Sequence, residues 1–407
     1  MMQLQILFEQ YKDYLGIVLI SLVISFILTP LTGVIAFKIG ALDMPARLRD
    51  RNDKTKERKI HQNIMPRLGG LAIAIAVMLM IVLNYSNITA AGDYQKTIQL
   101  IIGIILIVAL GFFDSVAEMP AAEQLLIQII AALLITSSGI KITDINLGTN
   151  IRLDAINFQI HLSNLTLYIA PIADFISVIW IVAIINAMNW VSGIDGLGSA
   201  LGAGASLTLL FISVKFSSVF PAIIAAALGG AVIGFFPFNF PPAKTYSGSI
   251  GDMLQGYLLA ILAILSPAKL TTSLILLALP IIDAIWVLGG RFFRHRKELK
   301  SPLDILKISD KTHLHHRLLD LGFSVRQTLA IEMLVFLFFC IVAYYFAGFD
   351  QQVILLLITI FIFLCLFVVI ALVRSRSIKR REALKQTTES KKSVKILTET
   401  PEEKYAY

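Results

Sequence analysis

Runs of roughly twenty apolar residues recur from one end of the chain to the other, and no other feature constrains the fold as strongly. A run of that length crosses the hydrocarbon core of a bilayer as a helix. In lipid the backbone must satisfy its own hydrogen bonds, so repeated runs specify a bundle of transmembrane helices. Only 15% of the 407 residues are charged, against about 25% in soluble domains. About eleven spans are expected, near 15–37, 68–84, 97–113, 121–138, 167–186, 196–214, 217–236, 253–267, 271–292, 327–347 and 352–373. The first run continues past Pro30 without a small-residue cleavage site, so it reads as a retained span and not as a signal peptide. The fold class is therefore all-α and polytopic over residues 1–373, followed by a basic tail, 374–407, expected to be disordered.

Charge sets the expected topology. The net charge is +8, but the basic residues gather in two loops and the tail. That pattern marks cytoplasmic flanks and argues against a nucleic-acid surface. The loops 38–67 and 291–326 each carry about nine Lys and Arg, whereas the alternate loops carry few. An odd span count, an outside N-terminus and an inside C-terminus follow. The loop 141–166 alternates apolar and polar residues and reads as a small β-hairpin on the outer side. Cys340 and Cys365 lie within apolar runs and suggest packing, with no disulfide or metal framework. The sequons at Asn87 and Asn164 are short enough to arise by chance.

Polar residues interrupt this pattern at one set of loops. The sharpest interruption is Asn186-Ala187-Met188-Asn189-Trp190-Val191-Ser192-Gly193-Ile194-Asp195-Gly196-Leu197, between two apolar runs. Irregular polar backbone beside lipid is tolerated where it lines a cavity or the interface. The other odd-numbered loops carry Lys59-Ile60-His61 with Arg67, Asp114-Ser115 with Glu118, Asn239 through Lys244 with Ser247 through Asp252, and His313-Leu314-His315-His316-Arg317. Singly, each has a plain alternative: a helix cap, a topology lysine, a turn. Together they would meet in loops 38–67, 114–121, 187–195, 237–252 and 291–326 on one face. Carboxylates and amides there suit a hard cation such as Mg²⁺, while Lys and Arg suit phosphate oxygens. The residues point to phosphoryl chemistry between a soluble diphosphate and a lipid-borne phosphate.

From about Asp43 to Phe323 the chain resembles the polyprenyl-phosphate N-acetylhexosamine-1-phosphate transferases, the superfamily that includes the phospho-MurNAc-pentapeptide translocase. The resemblance rests on Lys59-Ile60-His61 with Pro66 to Gly70, Asn186 to Asn189 with Gly193 to Leu197, Asn239 to Lys244, Asp283, and His313 to Arg317 in that order. It implies that undecaprenyl phosphate, or a similar polyprenyl phosphate, attacks a UDP-N-acetylhexosamine. The His-Leu-His-His-Arg form points to UDP-GlcNAc, with UMP released and a cell-surface glycan begun. The implied metal is Mg²⁺, with Mn²⁺ as the substitute. The partners are the two substrates and membrane lipid, with a homodimer left open. The implied setting is a bacterial inner membrane, with the site facing the cytoplasm. By matching position Asp114 and Asp195 are the catalytic candidates, and Asn189 is a metal ligand. Lys59, His61, Arg67, Asn186, Asn239, Asp283, His313, His315, His316 and Arg317 are the substrate-binding candidates.

The chain departs from the family at four places. Ser115, Ser192 and Ser249 stand where the family carries Asp, and Gln124 where a basic residue is common. The Ser249 change is the severe one, because it replaces an anionic ligand of the metal with a neutral oxygen. Asp252 lies three residues after Ser249, and Glu118 three after Ser115. On a helix each pair would share a face, which makes Asp252 the expected replacement ligand. The plain alternative for Asp252 is a helix cap. For the protein, the alternative is a catalytically degenerate relative that binds or scaffolds.

Overall fold

The structure is a computed structural model. It describes residues 2–45, 63–90, 94–146, 150–162, 165–267, 270–297, 301, 304–308, 312–348, 357, 358 and 361. Lys59, His61, Cys365, Asn164, most of the expected last span and the basic tail lie outside the described residues.

The chain begins with α1 (Met2–Ile39), then β1 (Leu42–Asp43) and β2 (Met65–Pro66), which pair antiparallel. Next come α2 (Gly69–Leu83), the short α3 (Tyr85–Ala90), α4 (Tyr94–Ala117) and α5 (Ala121–Ser137). Strands β3 (Asp144–Asn146), β4 (Asn150–Arg152), β5 (Phe158–Leu162) and β6 (Leu165–Ile169) precede α6 (Pro171–Val191). Then follow α7 (Leu197–Lys215), α8 (Val219–Asn239), α9 (Gly248–Leu265), α10 (Leu270–Leu276) and α11 (Ala278–His295). The described part closes with α12 (Asp304–Lys307), α13 (Leu314–Asp320) and α14 (Val325–Phe346).

Helices over α1, α4, α6, α7, α8, α9 and α14 are long and apolar enough to span a bilayer, and α10 with α11 forms an eighth span bent by 73°. Two shorter apolar helices, α2 and α5, coincide with the remaining expected runs. The protein is a multi-pass helical membrane protein. The loop expected to hold one hairpin holds two, β3–β4 and β5–β6.

Burial sorts the bundle into inner and outer helices. Of the most apolar windows, 83% is buried in α8 and in α9, against 28% in α1 and in α14. Lipid tails are as apolar as leucine, so helices in a membrane gain by close packing at small residues and not by hiding from water. The α1–α8 contact shows this: a Cβ at Gly230 or Gly234 would stand 2.2 Å from the carbonyl of Val18 or Leu22. Helix α9 is the central post. A Cβ at Gly70 would lie 2.1 Å from Gly251 N, one at Gly111 2.5 Å from the Ile250 backbone, and one at Gly256 2.6 Å from Ile185 Cα. The first turn of α9 is thereby pinned against α2 and α4, and its middle against α6. Gly248 opens α9 at φ +62°, where a Cβ would meet Arg67 O at 2.0 Å, so only glycine lets the segment before α2 come this close. Backbone bonds complete the joint: Gly69 N to Tyr246 O at 3.0 Å and Gly70 N to Ser247 O at 2.9 Å.

Candidate active site

Helix polarity decides where the polar loops go. Asp114, Asn189 and Asn239 sit in the last turns of α4, α6 and α8, while Ser249 and Asp252 sit in the first turns of α9. Neighbouring antiparallel helices bring those termini to one end of the bundle, away from the β3–β6 hairpins that precede α6. There they enclose a polar cavity of about 930 Å³. Asp114, Asn189, Asp195, Asp252, His313 and His315 all line it, so residues separated by some two hundred positions meet in one place.

One wall is built of carboxylates and hydroxyls. Asp114 is 8% exposed. Its Oδ1 accepts from Gln124 Nε2 at 2.7 Å and from Met119 N at 3.0 Å, and its Oδ2 accepts the Ser249 hydroxyl. Two of the family departures, Gln124 and Ser249, thus hold one carboxylate together. Asp252 accepts the Ser247 hydroxyl at 2.7 Å and lies within hydrogen-bonding reach of Ser192. Helix α9 starts at Gly248, earlier than the expected 253, so Ser249 and Asp252 do share a helical face. Asp252 bonds a side-chain hydroxyl and lines the cavity, and Ser247, the α9 N-cap, makes no side-chain cap bond. The parallel expectation for Glu118 is not met. Helix α4 ends at Ala117, and Glu118 turns away at φ 44°, with its side chain 71% exposed. Ser115 donates to Gly111 O at 2.7 Å, back along its own helix.

The second wall is built of histidines. His313 and His315 stack with centroids 5.3 Å apart and planes 8° apart, and His316 lies 4.5 Å from His315. Among the described residues, neither ring nitrogen of the buried His315 has a hydrogen-bond partner. Burial, with the neighbouring His316 and His313, pushes its pKa well below the usual value, so the ring stays neutral. A Cβ at Gly193 would stand 2.3 Å from His315 Nε2, so glycine after α6 makes room for that ring.

A third group braces the rim. Asp195 accepts from Ala243 N at 2.9 Å and from the Tyr246 hydroxyl at 3.1 Å. Burial and the Asp195 charge raise the Tyr246 pKa, which keeps the phenol a donor. Asn239 is fully engaged, accepting from Gly196 N at 3.2 Å and Ser199 Oγ at 2.9 Å while donating to Thr245 O at 3.1 Å.

Several expected residues are placed elsewhere. Asn186 donates to Gln128 Oε1 at 2.7 Å and Val182 O at 2.8 Å, joining α6 to α5 outside the polar cavity, where it lines the apolar groove described below. Arg317 donates to Thr312 O at 2.9 Å and lies over the Trp286 ring, 4.9 Å from its centroid. Asp283 is 1% exposed and stands behind the histidines. Arg67 and His316 line the cavity as expected. Asp43, Arg291 and Arg326 line it without having been singled out. The two arginines read in sequence as topology charges, and Asp43 reaches the site only because β1 pairs with β2.

Beside the polar cavity runs an apolar groove of about 770 Å³ between α5, α6 and α11. Trp190 belongs to both. A headgroup in the cavity could therefore stay attached to a chain in the groove.

The sequence signature of glycosyl transferase family 4 matches residues 97–267. A Bacillus subtilis protein named "Probable undecaprenyl-phosphate N-acetylglucosaminyl 1-phosphate transferase" is 30% identical over 333 residues, covering 80% of this chain and 82% of that one. The chain belongs to glycosyl transferase family 4. A decaprenyl-phosphate N-acetylglucosaminephosphotransferase of Mycolicibacterium smegmatis is 29% identical, with 80% of this chain and 79% of the relative covered. A phospho-N-acetylmuramoyl-pentapeptide-transferase of Streptococcus mutans is 25% identical over 74% of this chain and 90% of its own length. This family 4 protein is thus a membrane-embedded transferase of the polyprenyl-phosphate hexosamine-phosphate superfamily.

Does the cavity suit a divalent cation? Among the described residues no three of His, Cys, Asp and Glu group closely enough to cage one. Mg²⁺ does not ask for a cage: it keeps several waters and takes one or two carboxylates, with substrate phosphates completing its shell. Asp114, Asp252 and the Asn189 amide line the same cavity and are of the oxygen-donor type such an ion takes.

Proposed function

We propose that this family 4 enzyme transfers N-acetylglucosamine-1-phosphate from UDP-GlcNAc to undecaprenyl phosphate or a related polyprenyl phosphate. A lipid phosphate oxygen forms the new bond to the sugar-linked phosphorus. The bond from that phosphorus to UMP breaks, and UMP leaves. The observation that carries the reading is the adjacency of a polar, mixed-charge cavity and an apolar groove that share Trp190 as a lining residue. One substrate is then held from the aqueous side while the other keeps its tail in lipid. The named relatives act on substrates of this kind.

Asn189, Asp252 and Asp114 would hold Mg²⁺, or Mn²⁺, which when bound neutralises diphosphate charge. Arg67, Arg291 and Arg326 face the cavity, where guanidinium groups can clamp phosphate oxygens. Neutral His315 offers a donor without adding charge. Asp195 fixes the 241–246 turn, and so the cavity rim. Most of the catalytic work is positioning and charge stabilisation, as expected when a phosphoryl group moves between oxygens. The excess of Lys and Arg in the segments 38–67 and 291–326 supports a site on the cytoplasmic face of the inner membrane.

The second reading, a degenerate relative, is favoured by one observation: Ser249 spends its hydroxyl on Asp114 and brings no anion. The test is UMP–UDP-GlcNAc exchange with lipid phosphate and Mg²⁺, run on the parent and on the Ser115→Asp/Ser249→Asp variant. Turnover by the parent supports the transferase. A silent parent with an active variant supports degeneration.

A further inference from the structure

Asp283 lies in the first half of α11, away from the cavity lining, yet it bonds the two residues at which the histidine wall begins. Its two oxygens divide the work. Oδ1 accepts Leu314 N at 2.8 Å, at the first residue of α13. Oδ2 meets His313 Nδ1 at 2.6 Å. The bond to Leu314 supplies one of the orphan backbone donors at the start of a helix, which α13 must satisfy because its own N-cap side chain does not. The bond to Nδ1 makes that nitrogen the proton donor, since a carboxylate can only accept. The remaining nitrogen of His313, Nε2, is on the other side of the ring, and His313 lines the cavity. A carboxylate behind one imidazole nitrogen is a general device for choosing the tautomer presented by the other.

We propose that Asp283 is a positioning residue of the transfer reaction: by seating the His313–Leu314 turn and accepting the Nδ1–H hydrogen bond, it presents His313 Nε2 to the donor diphosphate. The proposal rests on the transferase reading for the word reaction, but its geometry is testable without turnover. His313 would touch substrate, and Asp283 acts only through it. Because His315 stacks on His313 at 5.3 Å, fixing one ring also fixes the face of the next.

Asp283→Asn is the informative change. Its amide oxygen can still accept Leu314 N, while its NH₂ faces His313 Nδ1 and donates where the carboxylate accepted. The full chain, with ¹⁵N-labelled histidine, is read by NMR in lipid nanodiscs, and His313→Gln assigns the signal by its loss. The parent is expected to show His313 protonated at Nδ1, and Asp283→Asn to move the proton to Nε2. In the exchange assay Asp283→Asn is expected to lower kcat about 10–100-fold, the usual range for an outer-shell partner, with KM for UDP-GlcNAc changed less than about threefold. In a His313→Gln background the same substitution should add less than about twofold, because residues acting as one unit do not add. A merely structural Asp283 would instead give additive losses, and that outcome overturns the proposal. So does a parent His313 protonated at Nε2, which is readable even if Asp283→Asn fails to fold. A parent with no exchange but the expected tautomer removes the transferase reading and leaves the His313 geometry standing.

Discussion

The two walls of the cavity have been built in opposite ways. On the histidine wall the family residues are all present, and the carboxylate Asp283 sits behind them in a tight pair of bonds. On the carboxylate wall Ser192 and Ser249 stand where the resemblance implies aspartates, yet neither is idle: Ser249 bonds Asp114, and Ser192, beside Asp252, donates to Met188 O at 2.9 Å. The histidine wall keeps its chemistry by keeping its residues. The carboxylate wall holds two carboxyl groups, Asp114 and Asp252, and Asp252 lies one helical turn along α9 from Ser249. The difference bears on the cation site proposed above: an ion that keeps several waters can take its carboxylate oxygen from either turn of a helix, provided the oxygen reaches the same space. An oriented imidazole has no such freedom.

The comparison is sharpened first at Asn189, which both readings of the carboxylate wall require. In an active parent, Asn189→Ala should reduce turnover on the order of 1000-fold, comparable with loss of a key electrostatic group, with the thermal midpoint little changed. Full activity would remove the amide from the cation site. The next effect is the relocation itself. Asp252→Asn should raise the Mg²⁺ concentration needed for half-maximal turnover by about 100-fold. The exchange Asp252→Ser with Ser249→Asp should restore turnover to within about tenfold of the parent, because the anion count is conserved. If Asp252→Asn leaves the Mg²⁺ dependence unchanged, the carboxylate has not moved, and the wall is missing a ligand.

On the histidine wall the tolerance should be far lower. Gly193→Ala adds one methyl group whose Cβ would lie 2.3 Å from His315 Nε2 and 2.8 Å from Cε1. Overpacking of this kind costs about 1–3 kcal/mol, and the ring must tilt away. About a tenfold loss in kcat/KM is expected, against little change for the same methyl at Gly289, where open space surrounds the added Cβ.

The sequence made the bundle and the convergence of the polar loops legible because both follow from one rule: polar groups in a membrane chain must collect where water or substrate can reach them. It made single residues legible only at the helix ends. Asn186 belongs to the same motif as Asn189, but three residues along a helix is about 4.5 Å of rise, which sets it a turn deeper, against Gln128. Arg317 shares a motif with His315, yet it points to Trp286. Asp43 was invisible because its place depends on pairing with Met65, a contact between residues with a long loop between them. The helical phase of Ser249 and Asp252 turned on where α9 begins, and hydropathy put that start five residues late, since the polar first turn is buried by packing and not by being apolar.

The smallest expected effect concerns protons on the histidine wall. The folded His315 ring has its pKa pushed well below the value of about 6.5 that it has when unfolded. Between those two values the unfolded chain binds a proton that the folded chain does not. Stability from this group is therefore complete above about pH 6.5 and is lost as the pH falls below it. Between pH 7.5 and pH 5.5 in detergent, the thermal midpoint of the parent should fall relative to that of His315→Leu, which cannot titrate. Identical slopes for parent and variant would mean that water reaches the ring and that the histidine wall is as open as its opposite.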